Sequence, residues 1–404
     1  MVSTKPEIME INPEVMEVKD ATLDQWVTDP KGPVALHLKQ KLLPVESLSG
    51  EGGIIYPPTY ADIGYNIDTF SDGTKLALID SVGSQANRME PIFKAAPDGQ
   101  PSNPLAELVP QIEIVLNHGN KNNPESFSEK VSILDIAHRS ADAVVMSSPT
   151  LAEKLKEAFI RLRRSGDCSH LCALTPTSLV FGVWDSRGAS NEKLPRLVRS
   201  VIRAWDVEEL HAAAQYNSVW KLLDEDQQNH LKQEEEKKGR SKRSNVGLAD
   251  ALAVFRGNSS KERVLGGVLV KDRIEREVTV NLVALRGLRG ANDEETKCVQ
   301  KYLLGLSLLA ATTDMDLFLR EGCNLRYTGE DEWYEIPRRG EPQLTDLAST
   351  KSKNLLEKYA RQAHKSFCDY FKALIPDTFE TLEHKFDLTK AKKLLVKKQG
   401  DDEE

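Results

Sequence analysis

The four residues Ser71-Asp72-Gly73-Thr74, set between the apolar runs 65–70 and 75–80, constrain this chain more than any other short stretch. An Asp-Gly pair supplies the positive φ angles of a tight turn, so the two runs are predicted to fold back as an antiparallel hairpin. Residues 111–116 and 278–285 read as further strands, 178–184 as a short strand buried on both faces, and 324–327 and 333–336 as short strands. Helical spacing of apolar residues predicts helices over 132–146, 295–311 and 353–374, and Thr150 with Glu153 forms a capping box ahead of another apolar stripe. Strands and helices alternate without the regular crossovers of a parallel sheet, which makes the fold class α+β.

The strand 196–206 is unusual in its alternation. Val198, Ile202 and Ala204 point one way, while Arg199 and Arg203 share the other side with Val201 and Trp205. Arginines and an indole on one face suit either nucleic acid or a covering element. The formal charge of the 404 residues is −8, which argues against a uniformly basic coat but leaves room for a local basic groove. Residues 1–20 lack the basic and apolar regions of a signal peptide, and no run of about 18 apolar residues occurs, so a cytoplasmic protein with no membrane partner is expected. Five cysteines do not make a disulfide framework. Cys168, His170 and Cys172 lie close together, but the other cysteines are isolated where a structural zinc site needs four ligands, so neither metal nor cofactor is expected. Phosphate-binding loops, His-Glu-x-x-His and Gly-x-Ser-x-Gly are missing. The charged run 224–243 is predicted to be a mobile protrusion, and the last twenty residues a frayed tail.

Three clusters carry candidate chemistry. In residues 80–90, Gln85, Asn87 and Arg88 offer donors for phosphate or sugar oxygens at a helix start; the alternative is a capped helix with Arg88 paired to Glu90. In residues 135–142, helical spacing would put Asp135, His138 and Asp142 on one face, either as a general-base constellation or as a surface hydrogen-bond network, with Arg139 a salt-bridge partner or a phosphate contact. The third cluster, 181–200, leads from an apolar run into Asp185-Ser186-Arg187-Gly188 and returns through Lys193, Arg196 and Arg199. Between 185 and 203 there are five basic residues and two acidic ones, a local positive patch that could take phosphates or could be held by local ion pairs.

At these blocks the sequence resembles the backbone subunit of type I-G (formerly I-U) CRISPR interference complexes, a branch of the RAMP superfamily. The resemblance covers residues 54–311 and rests on Ser84-Gln85-Ala86-Asn87-Arg88 with Glu90, on Ala137-His138-Arg139 with Ala141-Asp142-Ala143, and on 181–188 followed by Lys193-Leu194-Pro195-Arg196. It implies a modified RRM/ferredoxin-like antiparallel sheet with flanking helices and large insertions. The expected organisation is an N-terminal extension (1–53), a core (54–380) with a charged insertion around 224–262, and a charged tail (381–404). The implied function is non-catalytic binding of guide RNA (crRNA) by copies assembled head-to-tail with other subunits of the complex, the guide then pairing with target DNA. Gln85, Asn87, Arg88, His138, Arg139, Ser186, Arg187, Lys193, Arg196 and Arg199 are the expected RNA contacts. An aromatic RNP-like signature is absent, so base stacking on the sheet is not implied. Alternatives are an RNA-cleaving relative using Asp185 or Asp142, and a protein-binding adaptor.

Overall fold

Strict alternation sets the centre of the sheet. Along Ile274–Asn281, Ile274, Arg276, Val278 and Val280 are buried while the residues between them are half-exposed, as expected for a strand with one face on a core. The protein, described here by a computed structural model, is defined over residues 15–48, 52–61, 63–97, 99–118, 127–184, 192–211, 215–216, 219–237, 239, 246, 248, 251–252, 265–374 and 382–395. Four strands form the middle of a nine-stranded sheet: β1 (Ala35–Pro44), β2 (Val198–Trp205), β3 (Ile274–Asn281) and β4 (Cys323–Ile336). Their spatial order is β4-β1-β3-β2, each pair antiparallel. With helices between β1 and β2 and between β3 and β4, this is the split βαβ arrangement of ferredoxin-like and RRM folds, and the α+β expectation holds.

The predicted hairpin is present: Ile67–Thr69 pairs with Lys75–Asp80, and the latter extends the sheet beyond β2. On the other side Gln343–Asp346 pairs with β4, and Met16–Glu17 joins it in parallel. The inward row Trp333–Leu38–Val278–Ser200 runs across β4, β1, β3 and β2 in register. Against it lie α1 (Val82–Met89) and α3 (Asp293–Thr312), and α4 (Thr350–Tyr370) packs on α3. Asn292 caps α3 by accepting from Glu295 N at 2.9 Å, and Asp293, Glu294 and Glu295 complement its positive end. The crossover from β1 to β2 takes up residues 45–197, and all three sequence clusters fall within it or end at β2.

Several expectations are corrected. Residues 132–146 are not one helix but two short turns, Ile133–Asp135 and Arg139–Ala141, and a four-residue helix, Ala143–Met146. Ser132 and Asp142 bind the nearby backbone N–H groups of Leu134 and Val144, and Arg139 sits at φ 53°, so the helix is interrupted. The apolar run at 178–184 is mostly helix, Pro176–Phe181, followed by the strand Val183–Trp184; an apolar run buried all round has no periodicity to separate the two, and Pro176 favours the helix start. Helix α2 (Pro149–Ser165) begins at Pro149, and Thr150 contacts His384 Nδ1 at 2.7 Å instead of capping. The two short strands expected near 324–336 are one strand, β4. Within the charged run, Glu225–Glu235 is a helix closed by an Asp224–Gln227 capping box, with no buried residue. The supposed extension contains β1 at the heart of the sheet. The supposed tail supplies Leu382–Lys385, parallel to Ile112–His118, and the helix Leu388–Leu394.

The register makes a sharp test. Leu38 is 1% exposed whereas Lys39, its neighbour in β1, points out. Leu38→Ala is expected to cost about 2–5 kcal/mol and Lys39→Ala to stay within about 0.5 kcal/mol. Urea unfolding of the two variants checks this, and equal effects would refute the register.

Candidate functional site

The positive φ of Arg139 turns its side chain inward, where it is 4% exposed and ties the three sequence clusters together. Its Nε donates to Glu90 Oε2 at 2.6 Å, Nη1 to the Gly182 carbonyl at 3.2 Å and Nη2 to Asn87 Oδ1 at 3.4 Å. The guanidinium also lies 5.4 Å from the Phe181 ring centroid. Glu90 is itself 1% exposed, and burial pushes its carboxyl up to about 7 against the opposing pull of Arg139. Gly182 meets the other end of this network at φ 80°, ψ 149°, a conformation open essentially to glycine; a Cβ there would stand 2.9 Å from Arg196 Cγ. The sharp bend allows residues 183–184 to pair with 193–194 and brings Arg196 back beside Arg139.

The result is a groove of about 510 Å³ bounded by Ala137–Ala143, Gly182–Trp184, Lys193–Arg196 and Leu394. Arg196 is held there with its pKa below the usual range, first by burial and then by the neighbouring charges of Arg139 and Arg199. A guanidinium stays charged regardless, so the three cations repel one another. Neither Lys193, Arg196 nor Arg199 has a carboxylate partner among the described residues. Lys193 Nζ stands 5.4 Å from the centroid of Trp184, whose indole is 58% exposed. A flat π-face beside unpaired cations is suited to an unstacked base with its phosphate. His138 is exposed on the rim and contacts Asp142 Oδ2 at 3.3 Å. Asp135 does not join them; it pairs with Lys94 at 2.5 Å, so the one-face constellation of Asp135, His138 and Asp142 is not formed.

The first cluster divides. Asn87 is exposed and reaches the groove network through Arg139. Gln85 is fully buried: its amide donates to Asp80 Oδ2 at 2.7 Å and its oxygen accepts from Ser200 Oγ and from Arg276 Nε. Arg88 bonds Asp80 Oδ2 at 3.2 Å and the Leu319 carbonyl at 2.7 Å, and does not pair with Glu90. Gln85 and Arg139 are therefore framework residues that position surface groups, and their reading as direct contacts gives way to this role. Ser186, Arg187 and Asp185 lie outside the described residues. Lys193, Arg196, Arg199 and His138 are brought together at one side of the molecule. Trp184 was missed as a site residue, although an indole immediately before a basic loop was a usable signal. Cys168 and Cys172 are buried; Cys168 Sγ donates to the Arg289 carbonyl at 3.1 Å and burial pushes its thiol up to about 12.

Among known proteins, residues 36–209 match a family model described as CRISPR-associated protein GSU0053 (Cas_GSU0053). The match spans β1, the long crossover and β2, and so contains most of the groove. No curated protein matches the chain.

Burial of Glu90 has a pH signature. Because its carboxyl titrates near 7 in the folded protein and near 4.5 when unfolded, the folded state holds the proton more tightly. The stability this gives is complete below about pH 4.5 and is lost as pH rises through about 7. The stability of the native protein relative to Glu90→Gln should therefore fall between pH 5 and pH 8. Histidines that titrate in both proteins cancel in that difference, and a pH-independent difference in urea unfolding would refute the assignment.

Proposed function

We propose, from the match of residues 36–209 to a CRISPR-associated protein family, that the chain is a non-catalytic subunit that binds guide RNA along its backbone. The observation carrying this reading is the groove itself: Lys193 and Arg196 without carboxylate partners among the described residues, lining it together with the exposed Trp184, and Arg199 as a further charge near Arg196. A bound phosphodiester would relieve the repulsion among Arg139, Arg196 and Arg199, and contacts of that kind are blind to base identity. The RNA keeps its pairing edges for target DNA. In this reading several copies line one guide together with other subunits of an interference complex, in the cytoplasm. Asp142 is occupied as the cap of Val144 and as the partner of His138, which supports a binding rather than a cleaving role.

Lys193→Ala combined with Arg196→Ala should weaken RNA binding about equally across guide sequences. Each lost phosphate contact should flatten the slope of log affinity against log salt by about 0.7 and lower affinity about fivefold at 0.1 M salt. A filter-binding salt titration against two unrelated guides measures both quantities. An unchanged slope would overturn the site, and metal-dependent, regularly spaced cuts in a complementary RNA would overturn the non-catalytic reading.

A further inference from the structure

The groove is not closed by the family-matched segment alone. Leu394, 185 residues beyond the end of that match, lines its wall. The segment bearing it is firmly docked. Leu382–Lys385 pairs in parallel with Ile112–His118, and Leu382 N bonds the Gln111 carbonyl at 2.8 Å. Asp387 N bonds the Ser147 carbonyl at 3.0 Å, fixing the next helix against Ala143–Met146, which forms another part of the groove wall. The Asp387 side chain then caps that helix, Leu388–Leu394, through Thr389 N and Lys390 N at 2.7 and 3.2 Å.

This helix is rich in lysine at the places that matter. Lys390 stands one turn before Leu394 and so shares its face, Lys393 is adjacent to Leu394, and Lys392 is exposed. None of the three has a carboxylate partner among the described residues. The same groove is lined by Lys193 and Arg196, which also have no carboxylate partner among the described residues. Cations on the helix that supplies Leu394 add to the potential set by Lys193 and Arg196, and a lysine on a flexible stem can follow a polyanion's phosphates without bidentate geometry.

We propose that the helix Leu388–Leu394 is the second wall of the RNA site, with Lys390, Lys392 and Lys393 contacting the phosphodiester backbone of the strand held in the groove. The proposal rests on the guide-RNA reading above and extends it to residues outside the family match. It makes the groove a composite, in which a chain segment remote from β1 and β2 sets affinity while Trp184 and Arg196 set placement.

The test uses the full chain and a single-stranded guide-length RNA. Lys390→Gln, Lys392→Gln and Lys393→Gln together should lower affinity about fivefold at 0.1 M salt for each lysine that touches phosphate, and flatten the salt slope by about 0.7 per contact. The matching triple Lys→Arg variant keeps the charge and should retain the native slope. If the native chain binds with a steep slope and the Gln variant binds identically, the helix is not part of the site while the guide-RNA reading stands. If the Arg variant loses as much as the Gln variant, the lysines act structurally and the proposal falls. Failure of the native chain to bind RNA overturns both readings at once.

Discussion

The buried pair Arg139–Glu90 is the interaction on which the site depends. Removing both charges from water is costly, and the cost is offset only because the guanidinium spends its donors on a carboxylate, a side-chain amide and a main-chain carbonyl at once. The partners come from two parts of the crossover: Glu90 and Asn87 from the end of α1, Gly182 from the bend before the groove. One side chain thereby links three segments, alongside the Ser140–Ser178 and Lys94–Asp135 contacts between them. Loss of its guanidinium would leave Glu90 buried without its charge partner, and burial already raises the Glu90 carboxyl against the pull of Arg139.

The sheet explains why the groove, rather than the open face of the fold, is where positive charge remains. An RRM-like sheet offers its uncovered face to RNA when aromatic residues stand on it. Here the corresponding rows are ionic. Lys39 lies between Glu332 and Glu277 in register, Glu275 lies between Lys41 and Arg203, Arg203 Nη1 bonds Glu277 Oε2 at 2.7 Å, and Lys41 pairs with Glu330 at 3.2 Å. Cations on that surface are largely balanced by neighbouring carboxylates. Arg199, at the end of β2 nearest the groove, escapes this pairing because its cross-strand neighbours are Thr279 and, beyond it, His37. The charge surplus thus begins at the sheet's edge and continues into the crossover.

Features governed by local rules were legible in the sequence. The 71–74 turn, the alternation of β2 and the capped core helix α3 follow from periods and turn chemistry that do not depend on distant residues. What was not legible depends on tertiary partners. Gln85 and Arg139 have the composition of surface contacts, and only the approach of Ser200, Arg276 and Gly182 makes them interior. Residues 382–394 look like a solvated lysine-rich tail until the free edge of Ile112–His118 supplies main-chain partners. The β1 strand falls inside the expected extension 1–53, because Pro44 reads as a breaker in sequence and marks only the end of a ten-residue strand in space.

These facts also change what the acidic net charge means. A charge of −8 is a sum over the chain, whereas binding responds to charges left without partners. Several cations outside the groove are paired: Lys41, Lys94, Arg88, Arg161 and Arg203 all have carboxylates within 3.2 Å. Lys193, Arg196 and Arg199 have no such partner among the described residues, and Arg196 is held near two like charges while partly desolvated. A polyanion narrow enough to enter gains from quenching that repulsion, and one that stays outside meets a surface with an excess of carboxylates.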